Sequence, residues 1–362
     1  MKLAAHPPAE DGVIHAPLEA VDRFCRQVFE AIGADAVTAD AATRAMMHGS
    51  RLGVDSHGVR LLNHYVTVME GGRVNKRPDV RIVQSFGAVA SLDADHGHGA
   101  LAAYRAMEHA VELAGKFGIG AVSIRNSSHF GPAGAFAMDA AMKGHAGLAF
   151  CNSDSFVRLH DGAMRFHGTN PIAFAVPVTG DNPWLLDMAT SAIPYNRVQL
   201  YRSLGRELPQ GVASDVDGND TRDPALVEML APVGGEFGFK GAGLGGLAEI
   251  LSAVFSGMRL SFDILPMNGP DISTPRELGA FVMALKPGAF VGEEVFQAGM
   301  KRYLDMLRAS PAREGLKVMA PGDREWAVAA ERERTGVPLD PATCEAFRNF
   351  ASRFDVVPPF AA

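Results

Sequence analysis

The stretch Asp55-Ser56-His57-Gly58-Val59-Arg60, continuing to His64 and Tyr65, sets an imidazole and a guanidinium three residues apart at the head of an apolar run. On a helix, residues so spaced share a face. A histidine titrates near neutrality, and an arginine holds a carboxylate bidentately. Those are the two things that hydride delivery to a 2-oxo acid needs: a proton for the oxygen and a clamp for the acid. Ser56 is placed to orient His57. The plainer reading is a serine N-cap on a helix that His57 and Arg60 merely decorate.

Three further constellations could serve such chemistry. Ser127-Ser128-His129-Phe130-Gly131-Pro132-Ala133-Gly134 follows a strand-like run at 121–125 and precedes a small-residue helix at 135–142. A strand end leading into a helix N-terminus is where phosphates and catalytic groups gather in α/β folds. A capped turn with an incidental histidine fits the same residues. Phe166-His167-Gly168-Thr169-Asn170-Pro171 offers side-chain donors in a turn between two strand-like runs. Gly238-Phe239-Lys240-Gly241 puts a lysine where an apolar helix opens, against the helix dipole unless an anion binds there. His96, His98, Asp55 and His64 invite a metal, but no HExxH or Cys/His framework accompanies them, so no metal site is expected.

Two glycine patterns, Gly97 to Ala102 and Gly241 to Gly246, imitate a dinucleotide fingerprint. The strand after the first ends at Arg125 rather than an acid. The second, with Asp263 downstream, follows a Pro/Gly loop rather than a strand. In a chain with 39 glycines, both read better as tight turns before helices.

Helical periodicity covers residues 17–32, then a helix capped by Thr38 running to Ser50, then one from Ser56 to the stop at Gly71-Gly72. Strand-like runs follow at 80–83, 88–92, 121–124 and 147–150, with a helix at 100–117 completing a βαβ unit. Further strands are predicted at 172–177 and 184–188, long surface loops at 202–240 and an apolar helix at 244–257. From residue 293 the tail is helical and charged, ending in the extended Val356-Val357-Pro358-Pro359-Phe360. The division expected is 1–78 helical, 79–290 cofactor- and substrate-binding, and 291–362 helical and packed against the first part.

The 362 residues are 47% hydrophobic and 21% charged, an ordinary globular balance. A net charge of -7 without a basic stripe gives no footprint for nucleic acid, and an anionic substrate must be caught by local cations. Cys25, Cys151 and Cys344 form no CxxC pair, which points to a reducing compartment. The first twelve residues break into prolines and acids with no secretory apolar core. The apolar stretch at 244–258 is interrupted by Glu249 and too short for a bilayer, so a cytoplasmic protein is expected.

Six motifs in order carry a resemblance: Asp-Ser-His-Gly-Val at 55–59, Ser-His-Phe-Gly-x-Ala-Gly at 128–134, Gly-Thr-Asn-Pro at 168–171, Asp-Met-Ala-Thr at 187–190, Asp-Gly-Asn-x-Thr-x-Asp-Pro at 217–224 and Lys-Gly-x-Gly-Leu at 240–244. The series resembles the malate/L-lactate dehydrogenase family that is unrelated to the Rossmann-type enzymes of those names. That family includes ureidoglycolate dehydrogenase, 2,3-diketogulonate reductase, sulfolactate dehydrogenase and Δ1-piperideine-2-carboxylate reductase. The resemblance implies an α/β homodimer, with a non-Rossmann NAD(P)-binding mixed-sheet domain and a helical domain formed from both chain ends. It implies Ser56 and His57 as catalytic, with His57 the proton donor, and acid/base work for His129. It places His129, Phe130, Gly131, Pro132 and Ala133 along the NAD or NADP. Ser153, Asp187, Met188, Ala189 and Lys240 match cofactor contacts, Thr169 a substrate contact, and Pro321, Gly322 and Asp323 a late cofactor loop.

The chain departs from the pattern in three places. The family's carboxylate-binding arginine stands four residues after the histidine, where this chain has Leu61, with Arg60 one position early. Ile193-Pro194-Tyr195-Asn196-Arg197 replaces a smaller cofactor-flanking turn. Asp323 is an acid where an amide is common, and an acid facing a 2′-phosphate would disfavour it. The implied activity is hydride transfer between NAD(P) and a small 2-oxo or 2-hydroxy acid. Reduction of a cyclic or N-alkyl 2-imino acid is the alternative within the class, and a non-catalytic metabolite-binding dimer the alternative outside it.

Overall fold

A computed structural model describes residues 12–361, so the leading segment through Asp11 lies outside the described residues. The first strand, β1 (Ile14–Ala16), leads into α1 (Leu18–Ala31), which buries Val21, Phe24, Cys25, Val28 and Phe29 at helical spacing. The next helix, α2 (Ala36–Arg51), is capped by Asp35, whose carboxylate accepts the Thr38 N–H at 2.8 Å. Thr38 is therefore not the cap; it sits buried in the first turn.

The predicted helix from Ser56 is also corrected. Residues Asp55–His57 and Val59–Leu61 form two 3-10 turns, and only then does α3 (Leu62–Glu70) begin. The break lies at Gly58, whose backbone is extended and rests on Ser50 of α2. A Cβ there would overlap Ser50 Oγ, which accepts the Val59 N–H at 2.9 Å. Close packing on α2 thus overrides local helical preference, and His57 and Arg60 no longer share a helix face.

A hairpin, β2 (Arg81–Phe86) and β3 (Val89–Asp93), opens the main sheet, and α4 (Gly99–Phe117) crosses to β4 (Ile119–Ser127). After α5 (Gly134–Met142) come β5 (Ala146–Cys151), β6 (Val157–Arg158), β7 (Arg165–His167), β8 (Ile172–Val176) and β9 (Trp184–Met188). Helix α6 (Tyr195–Ser203) follows, and the segment expected to be loop, 202–240, carries the two short strands β10 (Ala213–Ser214) and β11 (Met229–Leu230). Helix α7 (Gly238–Glu249) starts earlier than its apolar run and passes into a π-helical turn over Ile250–Val254. The chain ends with β12 (Leu278–Leu285), α8 (Glu293–Arg308), α9 (Asp323–Thr335), β13 (Val337–Leu339) and α10 (Pro341–Phe354).

The main sheet has the order β2-β3-β4-β12-β5-β8-β9. Only β3 and β4 run parallel in it; every other neighbouring pair is antiparallel. This is a mixed sheet rather than a doubly wound parallel one, so the βαβ unit at Gly97 is a local crossover and not a Rossmann half. A small second sheet, β10-β11-β6-β7, pairs the two strands of the 202–240 segment with β6 and β7 from before β8. The third pairs β1 with β13 and so ties the two chain ends together.

The same tie recurs in the core. Phe24, Phe29, Met46, Leu62 and Tyr65 pack in one cluster with Cys344, Phe347 and Phe350 of α10. A second cluster joins α4 and α5 to the main sheet. Asp55, at the head of the His57 turn, receives both Nη atoms of Arg332 of α9, at 2.6 and 2.8 Å, and Arg332 also donates to the Ser50 carbonyl. The turn is thereby pinned from 277 residues away. Replacing Arg332 by Ala leaves Asp55 and that carbonyl without their donor, and should lower the unfolding free energy by about 2 kcal/mol. Urea unfolding would measure it, and an unchanged midpoint would contradict the assigned role.

Candidate active site

Two histidines from different parts of the fold meet at the junction of the helical layer and the sheet. His57 ends the first 3-10 turn, and its Nδ1 lies 2.9 Å from Ser56 Oγ. His129 follows the C-terminal end of β4, and its Nδ1 lies 2.8 Å from the hydroxyl of Tyr65 on α3. The rings stack, with centroids 5.7 Å apart and planes inclined by 25°. Neither Nε2 has a hydrogen-bond partner among the described residues, and neither is among the sealed unpaired atoms. Two imidazoles thus have Nδ1 occupied by a hydroxyl and Nε2 open to a ligand.

The surroundings decide their charge. Burial holds His57 below its ordinary 6.5, and burial together with His57, His64, Arg276 and His98 holds His129 well below it. Both rings are therefore neutral at pH 7. A hydroxyl can either donate to Nδ1 or accept from it, so each ring can present Nε2 as a donor or as an acceptor. Burial also raises the Tyr65 phenol, which stays protonated and able to donate.

The β4 end is latched in place. Ser128 Oγ donates to the Gly97 carbonyl and accepts the Gly99 N–H, each at 3.0 Å. His98 caps α4, its Nδ1 accepting the Ala100 N–H, while its ring meets Tyr65 edge-on with centroids 4.2 Å apart. This explains the glycine pattern at 97–102 as close packing: a Cβ at Gly99 would strike residues 128–130, and one at Gly97 would strike Pro78.

The predicted cofactor residues line up along neighbouring elements. Asp187, at the end of β9, accepts the Gly134 N–H at the start of α5 at 2.9 Å, and burial pushes its carboxyl up to about 6. The Pro321 carbonyl accepts the Leu185 N–H, so the Pro321-Gly322-Asp323 loop lies along the strand that leads to Asp187, Met188 and Ala189. Ser153 Oγ accepts the Thr169 N–H at 3.3 Å, bringing those two residues together. Phe130 is buried against Phe136, and Gly131, Pro132 and Ala133 are buried too. Lys240 is exposed in the first turn of α7 and takes no ion pair or hydrogen bond among the described residues, only the faces of Phe237 and Phe239. A free cation at a helix start suits a phosphate.

Two expectations change. Arg60 is half-exposed, and its Nε pairs with Asp340, the N-cap of α10, at 3.1 Å. Asp323 is taken by Arg308 at 2.6 Å and by the Ala320 N–H at 2.9 Å, so its charge is already answered within the protein. The departure at 193–197 is the entry to α6, with Ile193 buried in the core of the small sheet.

Two groups escaped the sequence reading. Glu249, read only as an interruption of an apolar run, is a buried hub. It accepts from the Asn170 side chain at 2.7 Å, the Ser261 N–H at 2.6 Å and the Asn152 side chain at 3.4 Å. It thereby fixes the segments that carry Ser153 and Thr169. A lone acid within an apolar helix was the available signal, since a buried carboxylate needs partners. Arg276 is the second, buried beside β12 with its guanidinium on Asp154.

Comparison with known proteins gives the family. The model of the family described as malate/L-lactate dehydrogenase matches residues 16–348. The chain belongs to that family. Its relatives include a malate dehydrogenase of Pyrococcus abyssi, 32% identical over 96% of this chain and 97% of that protein. Another is the (2R)-3-sulfolactate dehydrogenase (NADP(+)) of Chromohalobacter salexigens, 32% identical over 89% of this chain and 93% of that one. Among solved structures, the malate dehydrogenase of Pyrococcus horikoshii superposes with a TM-score of 0.88 at 28% identity, covering 98% of this chain and 99% of that one. Membership makes the chain a dehydrogenase, an oxidoreductase of the mixed-sheet type described above.

Two predictions follow from the histidine environment. Tyr65→Phe keeps the ring but strips His129 Nδ1 of its hydroxyl partner, and should lower kcat about tenfold or more at a cost of about 1–3 kcal/mol in stability. Unchanged kcat would remove Tyr65 from the site. Burial holds His48 and His64 at about 4 and His98 at about 3. Unfolding restores each to about 6.5, so the unfolded chain binds more protons on acidification. Their contribution is complete above pH 6.5 and drains away below it. Asp187, raised to about 6, works in the opposite sense but is one group against three. Urea unfolding should show lower stability at pH 5 than at pH 7, and a shallower fall in His98→Gln.

Proposed function

We propose that this dehydrogenase transfers a hydride between NAD or NADP and a small 2-hydroxy or 2-oxo acid. The observation that carries the reading is the stacked pair His57 and His129, each with a hydroxyl on Nδ1 and a free Nε2. The named activities of the relatives, on malate and 3-sulfolactate, support the substrate class. The nicotinamide, when bound, supplies or accepts the hydride.

The protein's own groups do the rest. His57, protonated once the acid anion is bound, gives its Nε2 proton to the substrate oxygen in reduction. It becomes the neutral ring with its remaining proton on Nδ1, donated to Ser56 Oγ; in oxidation that neutral ring takes the proton back at Nε2. His129, held by Tyr65, donates a second hydrogen bond to the reacting region. Lys240 and the start of α7 hold a cofactor phosphate, and the backbone of 129–133 with Asp187, Met188, Ala189 and Pro321 to Asp323 borders the rest. Ser153 belongs to the cofactor side of the site and Thr169 to the substrate side. Burial keeps water from the histidines and leaves them neutral until an anion enters, and a carboxylate beside them favours their protonated forms.

The exposed face of α7 and its π-helical continuation shows Phe237, Phe239, Leu247, Ile250, Val254 and Phe255. So large an apolar face fits burial against a second copy, and a homodimer is part of the proposal. Among the described residues no helix is long and apolar enough to cross a membrane. A cytoplasmic location, read from the three buried free cysteines, completes it.

The test is a panel of 2-oxo acids and cyclic imino acids assayed with NADH and NADPH. Turnover of at least one 2-oxo acid is expected, and turnover of imino acids alone would move the substrate to the imine class. No turnover with either cofactor would sink the proposal. His57→Asn should lower kcat by about 10² to 10⁴ while NAD(P)H binding, read by fluorescence, is kept. Lys240→Ala should raise the cofactor KM about tenfold with little effect on kcat.

A further inference from the structure

Arg60 is spent on Asp340 at the surface, and Leu61 occupies the neighbouring position, so the turn that carries His57 supplies no carboxylate clamp. A small 2-oxo acid still needs a cation close to the reacting carbon, because its carboxylate is bonded to that carbon. The only candidates are cations that reach the histidines from elsewhere in the fold. One does.

Arg276 stands two residues before Leu278, which pairs with Ser127, itself two residues before His129. Antiparallel pairing of β12 with β4 therefore brings Arg276 in alongside His129. The residue is only 4% exposed. Its Nε donates to the Leu265 carbonyl at 2.8 Å and its Nη2 to Asp154, which leaves Nη1 without a hydrogen bond among the described residues. Nη1 is also absent from the sealed unpaired polar atoms, so that edge of the guanidinium borders accessible space. Asp154 adjoins Ser153, whose hydroxyl meets Thr169, so the arginine reaches the same corner as the expected substrate contact. Burying an arginine with part of its donor set unused is costly, and an anion at the free edge would complete it.

We propose that Arg276 binds the substrate carboxylate in this protein, taking the role that Arg60 is placed wrongly to fill. The assignment rests on the 2-oxo acid reading above. Its electrostatic footprint is already visible, since the Arg276 charge is among the causes that lower both His129 and His64. A carboxylate on the guanidinium cancels that influence, so substrate binding itself favours a protonated histidine at the moment a proton is needed. The Asp154 pair aims the planar fork and partly neutralises it, and Arg73, hydrogen-bonded to the Met267 and Asp271 carbonyls, adds positive charge behind it.

The experiment compares Arg276→Gln with Arg60→Gln, using the 2-oxo acid that the wild type turns over and oxamate as an unreactive mimic. For Arg276→Gln, KM for the acid should rise about 50-fold and oxamate binding to the NADH complex, read by calorimetry, should be lost. NADH affinity should stay within about twofold, and Arg60→Gln should leave all of these within about twofold. If Arg276→Gln proves unstable, Arg276→Lys keeps the charge but not the fork and should raise KM by about tenfold. A KM effect in Arg60→Gln with none in the Arg276 variants would overturn the assignment. Wild-type turnover with no Arg276 effect refutes this inference alone, whereas no wild-type turnover refutes the parent reading and this one with it.

Discussion

The Tyr65 hydroxyl against His129 Nδ1 is the contact through which the two halves of the molecule become one site. Tyr65 belongs to α3 in the helical layer built from both chain ends; His129 belongs to the end of a sheet strand. Neither partner can move without leaving a buried polar group unpaired, at a cost of about 1–3 kcal/mol. The other restraints reinforce the same junction. Asp55 and Arg332 hold the His57 turn from below, Ser128 pins the strand end to α4, and the His98 ring wedges against Tyr65. With those in place the two imidazoles have little freedom except to stack.

Burial gives the junction its chemistry. It makes protonation of the histidines expensive, so in the free protein they are neutral. The same burial strengthens any charge that does enter, because the local dielectric is low. In the proposed reaction an anionic substrate therefore changes the protonation state of the groups it meets, which couples its binding to proton supply. A protein with an overall charge of -7 can work on anions in this way, because its attraction for them is local and interior.

Much of this was legible in the sequence where signals are local. The Ser56-His57 pair, the β4 turn at 127–134, the α4 crossover and the lysine opening α7 all stand close to where residue types and spacing put them. Local reasoning failed where packing overrode it. The run from Ser56 has helical periodicity, yet the contact of Gly58 with Ser50 forces two 3-10 turns and sends Arg60 to Asp340. Asp35 took the cap assigned to Thr38, a three-residue error of register. Arg276 carried no local mark at all, since Ser273-Thr274-Pro275-Arg276 reads as plain loop. Its meaning comes from β12 threading between β4 and β5, a long-range pairing that no periodicity announces. Glu249 stood in plain view inside an apolar run and asked to be explained; the answer lay in Asn152, Asn170 and Ser261.

The central claim is that His57 and His129 converge on the reacting carbonyl of a bound 2-oxo acid. A crystal structure of the protein with NADH and oxamate tests it most directly. The account predicts the oxamate carbonyl oxygen within hydrogen-bond distance of His57 Nε2, His129 Nε2 beside it, and the carboxylate on the Arg276 guanidinium. Oxamate bound away from both histidines, or the two rings separated once the site is filled, would contradict it.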